Sequence, residues 1–172
     1  PLSKDGDVRV FSLYEKDSTL FIGTSNGLYI RQNESLQKIA NQDTNENFYV
    51  TALTSFGQQI YMGTNRGLYL LNKRNNKTVR FISKTDGLPD NYVQCLLADS
   101  NGVWIGTYGK GIRYYNGDDL TTKVLPLPYN TICNDLMNVD NQLWIATQDN
   151  GVYVVDIGDQ KIIRYGITNG LT

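Results

Sequence analysis

The chain has 172 residues, a formal net charge of −1 from 16 basic and 17 acidic side chains, and no histidine. That length suits one domain with a substantial core, and near-neutrality argues against a surface that tracks nucleic-acid phosphates. Without histidine, Ser-His-Asp and Cys-His catalysis and His-ligated zinc are excluded.

Abundant Tyr and Gly with few Pro point to an ordered, strand-rich protein. In chain order, the first segment runs from Val10 and Leu13 through the polar turn Lys16-Asp17-Ser18 to Leu20-Phe21-Ile22-Gly23-Thr24. After Gly27 come Leu28-Tyr29-Ile30, a turn at Asn33-Glu34, and a weaker run from Leu36 to Ala40. The same series recurs from Val50 and Leu53, through Ile60-Tyr61-Met62-Gly63-Thr64 and Leu68-Tyr69-Leu70, to Thr78–Ile82. A link, Asp86-Gly87-Leu88-Pro89-Asp90-Asn91, then leads to Val93, Leu96, Val103-Trp104-Ile105-Gly106-Thr107, Ile112-Arg113-Tyr114 and Thr121–Leu125. The last series holds Cys133, Leu136, Leu143-Trp144-Ile145-Ala146-Thr147, Val152-Tyr153-Val154 and Gln160–Tyr165. Asn169-Gly170-Leu171 stands where a further link would begin.

The repeated threonines Thr24, Thr64, Thr107 and Thr147 are spaced by 40, 43 and 40 residues. A period in that range marks a propeller or a solenoid. Each unit reads as four strands joined by Asn, Asp and Gly turns, with polarity rising towards the fourth strand. The fold expected is therefore all-β: a β-propeller with four blades of four-stranded antiparallel meanders, at 8–40, 48–82, 92–125 and 131–165. Counting from the aromatic, the first strand's Leu and its preceding Val or Cys fall on opposite faces by simple alternation. The small residue before each Thr leaves room for a neighbouring sheet.

No metal or phosphate motif stands out. There is no C-x-x-C pair, no P-loop, and no acidic loop with a calcium-type Glu, so neither metal nor cofactor is expected. No 18-residue apolar run exists for a membrane helix, and a start at Pro1 reads as an excised piece of a longer protein. Cys95 and Cys133 read as buried strand residues, not disulfide-linked, because packed sheets lie about 10 Å apart. Trp104 and Trp144 share a repeat position with Phe21 and Tyr61, so packing between blades is expected of them.

The links between the second and third strands, and those between blades, fall on one face around the axis. That face carries Arg66, Tyr92, Tyr108, Lys110, Tyr129 and Asn130 as candidate ligand-binding residues. Aromatic rings stack on the C–H face of sugars while amides and charged groups bond hydroxyls, so an oligosaccharide is the ligand class expected. No catalytic residue is singled out. A glycosidase built from paired carboxylates is the enzymatic alternative, and a non-binding structural spacer or a protein-interaction propeller is the non-enzymatic one.

Asp86-Gly87-Leu88-Pro89-Asp90-Asn91, followed by Asp99 to Thr107 and Gly111-Ile112, resembles the two-component regulator propeller repeat. The family pattern is D-G-L-P-x-N, then D-x-x-G-x-[LV]-W-[IF]-G-T, then G-[LI]. The fourth unit departs at Ala146, and the first two replace Trp by Phe21 and Tyr61. The resemblance implies a periplasmic sensor module of a two-component receptor, the ectodomain of an inner-membrane protein whose kinase parts lie elsewhere. In such proteins, typical of gut Bacteroidetes, propellers precede an immunoglobulin-like domain, a membrane helix and a histidine kinase, and oligosaccharides are the usual ligands. Four blades from a larger ring would expose two inter-blade faces, so either the four close on themselves or neighbouring blades or a second copy of the chain cover those faces, and pairing with a second copy is favoured. Neither nucleic acid nor direct membrane insertion of this segment is.

Overall fold

The structure, a computed structural model, describes residues 8–39, 48–117, 120, 121, 125, 127, 128 and 130–171. The first blade comprises β1 (Val10–Lys16), β2 (Thr19–Thr24), β3 (Gly27–Gln32) and β4 (Ser35–Ile39). The second comprises β5 (Val50–Phe56), β6 (Gln59–Thr64), β7 (Leu68–Asn72) and β8 (Thr78–Ile82). The third holds β9 (Val93–Ala98), β10 (Val103–Thr107), β11 (Ile112–Tyr115) and β12 (Leu120–Thr121). The fourth holds β13 (Cys133–Val139), β14 (Gln142–Thr147), β15 (Val152–Asp156) and β16 (Ile162–Tyr165). Each blade is a four-stranded antiparallel meander in sequence order, as a β-propeller requires.

Three apolar clusters hold the blades together, one at each junction. Phe21, Leu28 and Ile30 of the first blade meet Val50, Leu53, Met62 and Tyr69 of the second. Tyr61, Leu68 and Leu70 meet Val93, Ile105 and Tyr115. Trp104, Ile112 and Tyr114 meet Cys133, Leu136, Leu143 and Ile145. In the first three blades the repeated aromatic therefore faces the next blade. Trp104 is 1% exposed, as packing between blades demands. Trp144 differs: it lies on the fourth blade's outer face, half-buried and stacked on Tyr165 with ring centroids 6.0 Å apart.

The small residue before each Thr is a socket. A Cβ on Gly23 would stand 2.8 Å from Val50 Cγ1, and one on Gly63 would stand 2.6 Å from Val93 Cγ1. On Gly106 it would stand 2.7 Å from Cys133 Sγ. The first residue of each later blade thus seats as a knob in the blade before it. At the two ends, Val10 is a knob left 57% exposed, and Ala146 is a socket already carrying a methyl group.

Every first strand breaks register after its first residue: at Val10/Ser12, Val50/Ala52, Gly106/Thr107 opposite Val93 and Cys95, and Cys133/Asp135. This bulge corrects the alternation expected from the sequence. The extra residue resets the parity, so Val50 and Leu53 lie on the same face, both against the first blade. The outer blades differ from the expectation of a strand buried on both sides. Leu13 is 65% and Met137 59% exposed, because the first and fourth blades pack on one side only.

The threonines explain their own recurrence. Thr24, Thr64, Thr107 and Thr147 each donate a hydroxyl to the carbonyl of Gly27, Gly67, Gly111 and Gly151, at 2.8, 2.8, 2.9 and 2.7 Å. Each clasp closes the link between the second and third strands. The Asp86-Gly87-Leu88 link has its own device. The Asp86 carboxylate accepts from the Ser83 N–H and hydroxyl, Gly87 takes φ 103°, and Leu88 drops into the second junction. Ile167–Asn169 and Gly170, φ 95°, repeat that turn two blades on.

Candidate functional site

The bulges that reset the strand faces also build the site. Phe11, Thr51, Gln94 and Asn134 are the extra residues, one per blade, and all four line a cleft of about 400 Å³ between the innermost strands. A bulge re-aims a side chain that regular pleating would send into a neighbouring sheet. Ser12, Tyr92, Cys95 and Asp135 also line it.

At one rim of the cleft the chain repeats a second contact. The residue after each Thr donates its N–H to the residue before each first strand: Ser25 to Arg9, Asn65 to Tyr49, Tyr108 to Tyr92, and Gln148 to Ile132, at 2.9–3.3 Å. This ring of backbone pairs carries the candidate side chains around the axis. Tyr92 and Tyr108 are brought together, ring centroids 5.5 Å apart and tilted by 44°. Phe11 and Tyr49 form a second pair at 5.7 Å. Tyr49 and Tyr108 are 44% and 49% exposed, which leaves ring faces open to a ligand.

Asp90 accepts from the Tyr92 N–H at 3.0 Å and so fixes the start of β9. Burial, then the neighbouring phenols of Tyr49 and Tyr108, push the Tyr92 hydroxyl above its ordinary value. It therefore stays a neutral donor and acceptor at physiological pH.

The other candidates are dispersed. Arg66 sits in the β6–β7 link, with its backbone N–H donating to the Thr64 hydroxyl at 3.1 Å. Lys110 lines a separate groove with Pro89, Arg113, Leu125 and Pro128. Asn130 is an exposed turn residue at φ 75°. Tyr129 lies outside the described residues.

Phe11, Thr51, Gln94 and Asn134 escaped the sequence reading, although a signal was there. Ten residues before each repeated aromatic, these are chemically unlike one another although each follows a near-constant Val or Cys. Among the described residues, no three His, Cys, Asp or Glu side chains converge as metal ligands would. No helix among them is long and apolar enough to cross a membrane.

The two cysteines lie beneath this cleft. Both are free thiols, yet their Sγ atoms are 3.0 Å apart. The 10 Å sheet spacing assumed from the sequence does not apply here, because blades converge on the axis and β9 and β13 pack side by side.

Residues 87–109 match the family described as two component regulator propeller. No curated protein matches the chain. Among solved structures, the chain is similar to an extracellular domain of BT4673 from B. thetaiotaomicron, described as a one component system, at 20% identity and TM-score 0.79. That match covers 95% of this chain and 23% of the other. The extracellular domain of BT3049 from the same organism, described as a hybrid two component system, is similar at 21% identity and TM-score 0.61, over 95% and 29% of the two chains. The computationally designed Ika4 protein matches at 18% identity and TM-score 0.63, over 91% of this chain and 96% of that one. The chain thus spans less than a third of the two natural extracellular domains. At these identities the likeness is one of fold. The family match spans residues 87–109, from the link into the third blade to the end of its second strand, and the fold shared with those domains is that of a β-propeller.

Proposed function

We propose that these blades are a ligand-sensing module in the extracytoplasmic, periplasmic part of a two-component receptor, and that the ligand is an oligosaccharide seated over the axial cleft. The reading rests on one observation. Two tilted aromatic pairs, Phe11–Tyr49 and Tyr92–Tyr108, stand beside a cleft whose lining includes Thr51, Gln94 and Asn134. Open rings offer stacking to a pyranose, and the Gln94 and Asn134 amides offer both donors and acceptors to its hydroxyls, whereas the Thr51 hydroxyl donates to the Gly63 and Val93 carbonyls and offers only an acceptor. Among the described residues the lining has one carboxylate, Asp135, and no opposed second one, which favours binding over glycoside cleavage. The kinase belongs to the rest of such a receptor.

Titration calorimetry of the chain against neutral oligosaccharides tests this. Tyr92→Ala and Tyr108→Ala are each expected to weaken binding by about fivefold, the loss of one ring contact worth about 1 kcal/mol. Wild-type binding that neither substitution changes would remove the site. No binding to any neutral oligosaccharide would leave the module a spacer between other domains.

We further propose that a second copy of the chain covers the two exposed inter-blade faces. Val10 on one and the Ala146 socket on the other are the same knob-and-socket pair that joins the blades internally. A head-to-tail pair of chains would bring each Val10 to the other chain's Ala146.

A further inference from the structure

We propose that Cys95 and Cys133 are a disulfide-forming pair that staples the third blade to the fourth at the propeller axis. Their Sγ atoms lie 3.0 Å apart across the blade junction, 38 residues apart in sequence. The room for two sulfurs comes from Gly106. A Cβ there would stand 2.3 Å from Cys95 Sγ and 2.7 Å from Cys133 Sγ. Cys95 is the cross-strand partner of Gly106, and Cys133 is the knob that the fourth blade presents to it. At the corresponding places the second junction has Ala52 and Val93, and the first has Ser12 and Val50. Only the third junction puts a thiol on both sides of the socket.

Access is one-sided. Cys95 lines the axial cleft, whereas Cys133 is fully buried. A disulfide-bearing oxidant, small or protein-borne, therefore meets Cys95 first. The Cys95 thiolate attacks it, forming a mixed disulfide and releasing one thiol. The Cys133 thiolate then attacks the Cys95 sulfur and releases the second thiol. Two protein thiols lose two protons and two electrons, and one oxidant disulfide becomes two thiols. The hydrogen bond with Cys133, then burial, holds the Cys95 thiol well above its ordinary value. The folded dithiol is therefore slow to react.

The staple is independent of the sugar-binding reading, but it has a consequence for the cleft. Gln94 precedes Cys95 and Asn134 follows Cys133, and both line that cleft. A bond between the sulfurs fixes the spacing of two lining side chains.

The test is to fold the chain with oxidised and reduced glutathione, then map peptides by mass spectrometry without reductant. The expected result is a Cys95–Cys133 linked peptide two hydrogens lighter than its separate parts. The oxidised protein should melt about 10 °C above the same protein after reduction, since closing a loop of this length constrains the unfolded chain. Because both states are compared in one sequence, the reading survives if a cysteine variant fails to fold. Cys95→Ala, which copies Ala52 of the second blade, should abolish the shift. Two thiols still alkylated after denaturation, or a glutathione adduct stalled on Cys95, would overturn the proposal.

Discussion

The Trp104 indole N–H donates to the Asp99 carboxylate at 2.9 Å, across the hairpin that joins the first two strands of the third blade. The same carboxylate accepts from the Tyr114 hydroxyl at 2.7 Å and from the backbone of Asn101 and Gly102. One acid thus holds two large aromatics in place for the third junction. In the fourth blade Val139 stands at that position, and the buried Trp144 N–H has no partner.

Trp104→Ala is therefore expected to cost about 3–5 kcal/mol, the usual toll of truncating a buried aromatic. Asp99→Ala should cost about 2–4 kcal/mol by stranding two buried donors. Urea unfolding measures both. An unchanged midpoint for Trp104→Ala alongside lost sugar binding would make Trp104 a ligand platform, against its place in the core.

The Thr64 hydroxyl is fully buried, donates to the Gly67 carbonyl, and accepts from the N–H groups of Arg66 and Gly67. Thr64→Val keeps the shape and removes all three bonds. A loss of about 2–3 kcal/mol is expected, with the slope of the unfolding curve unchanged. A neutral substitution would mean that the clasp is replaceable by packing.

Gly63→Ala should destabilise by about 1–3 kcal/mol, since the new methyl meets Val93 Cγ1 at 2.6 Å. Val93→Ala on its own opens a cavity. Combined, the two changes should cost less than their sum, because each relieves the other. Strict additivity in a double-mutant cycle would show that the knob does not bear on this socket.

The period of the repeated phrase was enough to read the blades, because every junction reuses one knob, one socket and one aromatic. Alternation alone puts Val50 and Leu53 on opposite faces, because a bulge leaves no mark on composition, only on register. The site was half legible for the same reason. Tyr92 and Tyr108 flank the constant strands and could be placed by topology, whereas Phe11, Thr51, Gln94 and Asn134 reach the cleft only through the bulge. Arg66 and Lys110 share the rim's sequence position but not its centre, since a ring of links spreads side chains around a circumference. The nearness of Cys95 to Cys133 follows from convergence at the axis, a property of the whole ring that no single strand records.

Burial, followed by the neighbouring Tyr115 hydroxyl, pushes the Tyr61 phenol up to about 12. Burial and Asp99 push Tyr114 up as well. An unfolded tyrosine ionises near 10. These groups therefore support the fold fully below pH 10, and their contribution drains away as the pH rises from there towards 12. Unfolding midpoints should fall over that window, and Tyr61→Phe should flatten the fall. A flat profile for the native sequence would mean that the buried phenols ionise as freely as exposed ones.

Four strands about 4.8 Å apart and five residues long cover roughly 300 Å² per face. A head-to-tail pair has two junctions and four such faces, so about 1,200 Å² would be buried, the lower edge of stable interfaces. At each junction the partner's Val10 would enter the Ala146 socket. The three internal sockets are glycines, and a methyl in any of them would stand 2.6–2.8 Å from the incoming knob. Ala146 therefore overpacks the junction between chains by about 1–3 kcal/mol. Ala146→Gly relieves both junctions of the pair, about 2–6 kcal/mol together, and should then tighten pairing by roughly thirtyfold or more. Light scattering across the micromolar range reads this directly, as a shift from 19.4 kDa towards twice that mass at lower concentration in the variant. Val10→Asp should abolish pairing in both backgrounds, because a carboxylate cannot enter a dry socket unpaired. If both proteins remain monomers at every concentration, chains do not pair through these faces.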